Sequence, residues 1–166
     1  MKRLVLCLVL AVAAAGGIFA QEKAANVRNN WISGEVSLIG GGARYERMFG
    51  PKFSAGVDAY WSSLFFFWNE MEAGLFGRFY PWGDTFFAEA GLGFHLHTAL
   101  TSDDAEVITG VAISPAVGWK IDLGNPGGFF IQPGIKLPIT FGTNDVTDKF
   151  DVGVGIVPYF GLGGAF

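Results

Sequence analysis

Residues 86–97 read FFAEAGLGFHLH, and this stretch indicates the fold class more clearly than any other. Every even position is apolar, whereas most odd positions carry glycine, Glu89, His95 or His97. Because successive side chains of a β-strand point to opposite faces, this alternation predicts a strand with one apolar face and one polar face.

The same two-residue period continues through most of the chain from residue 53 onward. Further apolar stripes of this kind occupy residues 53–62, 70–80, 107–122, 129–141 and 150–166. They are about 10 to 17 residues long, whereas strands of soluble proteins usually have about 5–6 residues. At a rise of ~3.3 Å and a tilt of ~45°, a stripe of about 12 residues spans roughly 28 Å, close to the apolar band of a transmembrane barrel.

A soluble β-sandwich also alternates, but two features of the stripes argue against it. Their ends carry aromatic side chains, as lipid-facing strands do at the two membrane interfaces. The opposite face carries many charges, which the core of a sandwich would not accept. The pattern therefore predicts an all-β, antiparallel, up-and-down transmembrane barrel.

The connections between the stripes are of two kinds. Tight turns that contain Gly or Pro are predicted at Phe49–Lys52, Pro81–Asp84 and Leu123–Gly128. Longer or more polar loops are predicted at Leu64–Asn69, Thr98–Glu106 and Gly142–Lys149. Short periplasmic turns and longer outer loops are typical of outer-membrane barrels.

The number of strands depends on residues 31–48. Six strands are predicted between residues 53 and 166, and a closed barrel with both ends in the periplasm needs an even number. The apolar phase changes from even to odd positions across Gly40–Gly42, which indicates a hairpin turn or a bulge. We expect a hairpin and eight strands; a single bulged strand is the alternative, and it leaves the parity unexplained.

Prolines interrupt several predicted strands. Pro115, Pro133, Pro138 and Pro158 each remove a backbone donor from the ladder. We interpret them as bulges or strand ends.

The N-terminus has the features of a secretory signal peptide. Lys2 and Arg3 precede an apolar run at residues 4–15, which is too short for a spanning helix of about 20 residues. Small residues lead to a cleavage site predicted after Ala20, and the only cysteine, Cys7, would be removed with the peptide. Three parts are expected: a signal peptide at 1–20, an N-terminal periplasmic segment at 21–30 and an outer-membrane barrel at 31–166.

Composition argues against several classes of function. The 166 residues have a net charge of −4, which becomes −6 once Lys2 and Arg3 leave with the signal peptide. A mildly acidic chain without basic clusters is a poor candidate for binding nucleic acid. No Walker-type loop, zinc knuckle or nucleophile elbow appears, so we expect no nucleic-acid partner, no cofactor and no enzymatic activity.

The polar face of the strands is predicted to point into the barrel lumen. Ten charged residues fall on that face: Arg44, Glu46, Asp58, Glu70, Glu72, Arg78, Glu89, Lys120, Lys136 and Asp151. The interior of an eight-stranded barrel is narrow, and charges inside it must pair or stay hydrated. Either they form a salt-bridged plug between inward glycines, or they line a narrow polar passage for small solutes.

Two histidines and one apolar cluster lie near the predicted outer rim. His95 and His97, with the acidic residues of segment 103–106, could bind a metal or supply a base beside a carboxylate. No Ser has a matching spacing, since Ser102 is in a loop, so we favour two hydrated or hydrogen-bonded rim histidines. The apolar Leu64–Trp68 cluster is interpreted as an interfacial anchor; a hydrophobic ligand mouth or a protein contact is the alternative.

Five segments together resemble the small eight-stranded outer-membrane barrels, the OmpW-like and OmpA-transmembrane-like group, and more narrowly a set from spirochaetes. They read GGGARYER at 40–47, RFYPWG at 78–83, EAGLGF at 89–94, GGFFIQPG at 127–134 and VPYFGLGGAF at 157–166. These segments resemble the family in architecture and assembly, and no catalytic residue is carried over.

The resemblance implies a location and a set of partners. An OmpW-like barrel would form a narrow channel or bind small hydrophobic molecules, whereas an OmpA-like barrel would be structural or surface-interacting; a rim-site lipid-modifying enzyme is a distant third. The terminal Phe166, with Phe160 and Leu162 on one face, resembles the signal read by the barrel-assembly machinery. Expected partners are outer-membrane lipid, that machinery, periplasmic chaperones and a small hydrophobic ligand, with the chain monomeric.

Overall fold

The computed structural model of the chain describes residues 29–64, 68–82, 85–100, 105–123, 128–144 and 149–166. The predicted signal peptide at 1–20 and most of the 21–30 segment lie outside these ranges. Within them, no helix is long and apolar enough to cross a bilayer.

The described residues form β-strands joined into one antiparallel sheet. The strands are β1 (Asn30–Ser37), β2 (Gly40–Met48), β3 (Phe53–Leu64), β4 (Trp68–Phe79), β5 (Phe86–Leu100), β6 (Ala105–Trp119), β7 (Ile121–Asp122), β8 (Phe129–Lys136), β9 (Ile139–Asn144), β10 (Phe150–Val154) and β11 (Val157–Ala165).

The sheet closes on itself. Each of the first five strands pairs with the next one along the chain, β6 pairs with β8 and β9, and β1 pairs with β11 from Trp31↔Ala165 to Ser37↔Tyr159. The result is a closed, eight-stranded, antiparallel β-barrel, which confirms the predicted fold class and strand number.

Three of the eight barrel strands consist of two segments each: β6 with β7, β8 with β9, and β10 with β11. The register does not shift across the gaps. For example, Ile113↔Ile139 and Ala116↔Lys136 follow one register, although Pro115 and Pro138 lie between those pairs. Each gap is therefore an interruption of one continuous strand.

The prolines explain these interruptions. Pro138 lies between β8 and β9, and Pro133 is opposite the gap between β6 and β7. The ladder continues around them through carbonyls, since Leu137 N donates to Pro115 O (2.8 Å) and Gly155 N donates to Pro138 O (2.9 Å). The bulge interpretation is thus wrong at these sites, because a proline removes one donor without adding a residue to the register.

Residues 31–48 form the predicted hairpin. The chain turns at Leu38–Ile39, two residues earlier than the Gly40–Gly42 turn that the phase change suggested. The glycines belong to β2, where a Cβ on Gly40 would collide with the backbone of Trp61 and Ser62. The glycine run is needed for the close approach of β2 to β3.

The predicted loops at Thr98–Glu106 and Gly142–Lys149 are shorter than expected. β5 runs on to Leu100, β6 starts at Ala105 and β9 extends to Asn144. Apolar and polar residues do not alternate at these strand ends, and for this reason the sequence pattern placed them in loops.

The two faces of the strands follow the predicted parity. The apolar stripes point outward, and Leu75, Leu92 and Phe129 have 65%, 59% and 71% of their surface exposed. The charged face points inward, where Arg78, Glu89 and Lys120 are buried. The barrel has an apolar exterior and a polar, charged interior.

The two ends of the barrel differ. The start of β1 and the end of β11 lie at one end, together with the ends of β2, β4 and β7, and we call it the closed end. The β1–β2 turn and the ends of β3, β5 and β9 lie at the other, which we call the open end.

Candidate functional site

An aromatic cluster fills the lumen at the closed end. Its members are buried: Trp31, Tyr80, Phe87, Phe130 and Tyr159. The Trp31 ring lies 6.2 Å from the Tyr80 ring and 6.3 Å from the Phe130 ring, and Tyr80 lies 5.9 Å from Phe87. Such edge and tilted contacts between rings are favourable, so the cluster packs tightly and fills the lumen at this end.

Lys120 enters this cluster from the gap between β6 and β7. Its Nζ lies over the Trp31 ring and 4.7 Å from the centre of the Phe130 ring. A cation over aromatic faces is attracted by their quadrupoles. The predicted lumen residue Lys120 is thus held by rings at the closed end.

Next to the cluster, Arg78 joins three strands in a buried ion network. Its Nε donates to Glu89 (2.6 Å), and its Nη1 donates to both Glu46 (2.7 Å) and Gln132 (2.8 Å). The guanidinium also stacks 4.0 Å from the Phe87 ring centre, which connects the network to the aromatic cluster. Arg78 is 1% exposed, so these bonds are buried.

Arg44 forms the second centre of the network. It binds Glu89 through two nitrogens, at 2.8 and 2.9 Å, and donates to Asp58 at 2.7 Å. Its Nη1 also lies 3.2 Å from Glu35. Because Glu89 bonds to Arg44 and to Arg78, the two guanidinium groups share one carboxylate and form a single network.

Glu46 completes the network on the side of the closed end. It accepts hydrogen bonds from Tyr80 OH (2.7 Å) and from Ser54 Oγ. Both guanidinium groups are paired with carboxylates, although Arg44 Nε and Arg78 Nη2 are buried without a hydrogen-bond partner among the described residues. Breaking such buried ion pairs is strongly destabilising. The network therefore fixes the strands around it.

The sequence analysis missed Glu35, which belongs to this network. Glu35 is buried, lies within 3.2 Å of Arg44 and accepts a hydrogen bond from Gln132 Nε2 (3.3 Å). The signal was present, since the apolar residues before Gly40–Gly42 fall at even positions, Val36 and Leu38, and Glu35 at the odd position beside them must then point inward. The aromatic cluster was also missed, because its rings are scattered singly among polar positions.

The remaining lumen forms a cavity of about 370 Å³ toward the open end. Its polar wall includes six of the predicted residues: Glu70, Glu72, His95, His97, Lys136 and Asp151. Its apolar wall includes Ile39, Ile108, Pro138 and Val157. Glu35 and Tyr159 also line it, so the cavity ends on the network and on the aromatic cluster.

The two histidines lie within this cavity. His95 is buried and His97 half-buried, with their rings 6.3 Å apart and nearly parallel. Nδ1 of His95 lies 3.2 Å from Glu70 Oε1 but outside hydrogen-bond geometry. His95 is thus deeper than the rim position that the sequence predicted.

The acidic residues of the cavity differ in their partners. Glu72 accepts a hydrogen bond from Ser114 Oγ (3.0 Å), and Lys136 Nζ lies 3.7 Å from Asp58. Asp151 is exposed on β10. In the part of the chain that the structure describes, no group of three or more His, Cys, Asp or Glu side chains could hold a metal ion.

Several predicted residues fall outside the described part of the chain. These are Cys7, most of the Leu64–Trp68 cluster, and Ser102, Asp103 and Asp104 beyond β5. The predicted assembly-signal residues are described, and Phe160, Leu162 and Phe166 are all exposed on the exterior at or next to β11.

No family model matches the chain, and a search of curated proteins found no significant match.

Proposed function

We propose that this chain is an integral outer-membrane β-barrel of the small eight-stranded, OmpW-like or OmpA-like type. Its lumen does not conduct, and its cavity binds a small molecule. The observation that carries the proposal is that the polarity is the reverse of that in a soluble protein. Apolar side chains lie on the outside and a charged network lies inside.

The exterior supports a lipid environment. Exposed large apolar side chains occur on seven of the eight barrel strands, all except β2, among them Ile32, Trp61, Leu75, Leu92, Val111, Phe129 and Leu162. A monomeric soluble protein rarely exposes a contiguous apolar patch larger than a few hundred Å². A closed barrel has no unpaired edge, so all of its backbone groups are satisfied within a bilayer.

The ends of the chain support the location. The features of residues 1–20 fit export, and the terminal Phe166 fits recognition by the barrel-assembly machinery. With both termini on the periplasmic side, the closed end faces the periplasm and the cavity opens to the outside.

The packing of the lumen favours a binder over a channel. Tyr80, Phe87, Phe130 and Gln132 are at most 1% exposed, so their cross-section of the barrel is filled. The open cavity, by contrast, lies within the range of small-molecule pockets, about 300–1,000 Å³. The structural, OmpA-like role is the second candidate, favoured by the buried network that joins six of the barrel strands.

Planar bilayer recording tests this proposal. We expect residues 21–166 to insert as a heat-modifiable barrel and to show no steady single-channel conductance, because the closed end is packed. The variant Phe87→Ala, which opens the aromatic cluster, serves as the comparison. Reproducible conductance by the unmodified protein would contradict the closed lumen, and failure to insert would contradict the membrane assignment.

A further inference from the structure

We propose that the open cavity binds a primary ammonium compound with a short apolar body. This inference rests on the proposed role of the barrel as a binder and names the chemical class of its ligand. It follows from the charge balance of the lumen, from the polar atoms of the cavity and from its apolar wall.

The first step is the charge balance of the lumen. The described inward residues include seven carboxylates, at Glu35, Glu46, Asp58, Glu70, Glu72, Glu89 and Asp151. They include four basic groups, at Arg44, Arg78, Lys120 and Lys136. The seven carboxylates exceed the four basic groups by three, so the described part of the lumen is negative, and a cation would reduce that excess.

The second step is where the excess lies. Arg44 and Arg78 are bonded to the carboxylates of the buried network. Lys120 is held at the closed end, far from the cavity mouth. Within the described residues, neither Glu70 nor Glu72 has a Lys or Arg within ion-pair distance. The network itself holds four carboxylates against two guanidinium groups, and Glu70, Glu72 and Asp151 add three more carboxylates in the wall of the cavity.

Among the described residues that line the cavity, Lys136 is the one Lys or Arg. Its Nζ lies 3.7 Å from Asp58 Oδ2 and 5.7 Å from the centre of the Tyr60 ring. Asp58 therefore offsets its charge, and the field of Glu70 and Glu72 decides the sign of the ligand.

The third step is a buried hydroxyl without a partner. Tyr159 is 6% exposed and lines the cavity, and its OH has no hydrogen-bond partner among the described residues. Leaving a buried polar atom unsatisfied is unfavourable by about 1–3 kcal/mol, so such an atom indicates a missing partner. His95 Nδ1, which is also buried, has none with hydrogen-bond geometry.

These groups share one property, since all of them accept hydrogen bonds. Carboxylates accept only, and a phenol oxygen or an imidazole nitrogen accepts from a cationic donor. A primary ammonium carries three N–H donors and one positive charge, which matches the carboxylates of Glu70 and Glu72 and the other acceptors that line the same cavity.

The apolar wall determines the rest of the ligand. Ile39, Ile108, Pro138 and Val157 line the cavity beside the acceptors. Small-molecule sites typically combine such apolar surface with a few polar groups that fix orientation. An aryl or short alkyl body therefore fits beside the ammonium group.

Three probes of similar size test the proposal by isothermal titration calorimetry on the folded barrel in detergent: 2-phenylethylammonium, 2-phenylethanol and phenylacetate. We expect the ammonium probe to bind with a Kd below about 1 mM and the neutral and anionic probes to bind at least about tenfold more weakly. Equal or tighter binding of either uncharged or anionic probe would overturn the proposal, as would the absence of binding by all three.

Variants assign the binding to the cavity. Glu70→Gln and Glu72→Gln should each weaken the ammonium probe about tenfold, and Tyr159→Phe roughly threefold. Asp122→Asn is the matched control, because Asp122 is exposed in β7 at the closed end and its loss removes the same charge. If Glu70→Gln/Glu72→Gln binds like the unmodified protein while remaining heat-modifiable, the site is elsewhere and the proposal fails.

The outcome is separable from that of the proposed function. A barrel that inserts into bilayers without conducting but binds no ammonium probe retains the membrane proposal and loses this one. A chain that does not insert loses the membrane proposal whatever it binds.

Discussion

At the residue scale, the lumen depends on a few side chains that sequence parity places inside without showing their partners. Parity predicted that Arg44, Arg78 and Glu89 point inward. It could not predict that Glu89 bridges the two arginines, because that contact depends on the register of β2, β4 and β5. Gln132 lies 54 residues from its partner Arg78, a separation that no local pattern reveals.

The network makes Arg78 important for stability. Arg78→Ala leaves Glu46 and Glu89 buried with fewer donors, and breaking a buried pair in this way typically lowers the free energy of unfolding by about 3–5 kcal/mol. Urea unfolding of the barrel in lipid vesicles, followed by tryptophan fluorescence, measures the change. Lys52→Ala, at an exposed turn position, is the control and should stay within about 0.5 kcal/mol. An equal effect of the two variants would contradict a structural role for the network.

At the element scale, the two-residue period of apolar side chains predicted the strands and their faces. It did not predict where the strands end or where prolines interrupt them. The last residues of β5, up to Leu100, and of β9, up to Asn144, were assigned to loops. The alternation of apolar and polar side chains is lost in these two segments. Pro138 interrupts the hydrogen bonds without ending the barrel strand, which only the unchanged register on both sides reveals.

Glycines on the inner face let strands accept large rings from their neighbours. A Cβ at Gly134 would lie 2.5 Å from Cζ of Tyr159. Gly134→Val should therefore lower the free energy of unfolding by about 1–3 kcal/mol, as overpacking does.

The matched control for this prediction is Gly34→Val in β1. Gly34 faces outward, and a Cβ there would meet only Gly42 O, at 3.9 Å. We expect this variant to fold with nearly unchanged stability, as judged by urea unfolding and the heat-dependent shift in gel migration. A larger loss at Gly34 than at Gly134 would contradict the packing described for the inner face.

At the scale of the whole molecule, aromatic side chains fill the barrel at its closed end, and a cavity lies toward its open end. The sequence analysis predicted the closed barrel and left the plug and the passage as alternatives. The aromatic cluster fills the lumen at the closed end and so favours the plug. Sequence reasoning missed it because Trp31, Phe87 and Phe130 come from three distant segments.

The central claim is that the apolar face of this barrel contacts lipid, and nitroxide scanning along β5 tests it most directly. Residues 21–166 contain no cysteine, so single substitutions label one site each. In lipid vesicles, labels at Ala90, Leu92 and Phe94 should be accessible to oxygen and shielded from a water-soluble nickel complex, whereas a label at His97 should show the reverse. Loss of this contrast, or a chain that stays soluble and monomeric without detergent, would contradict the account.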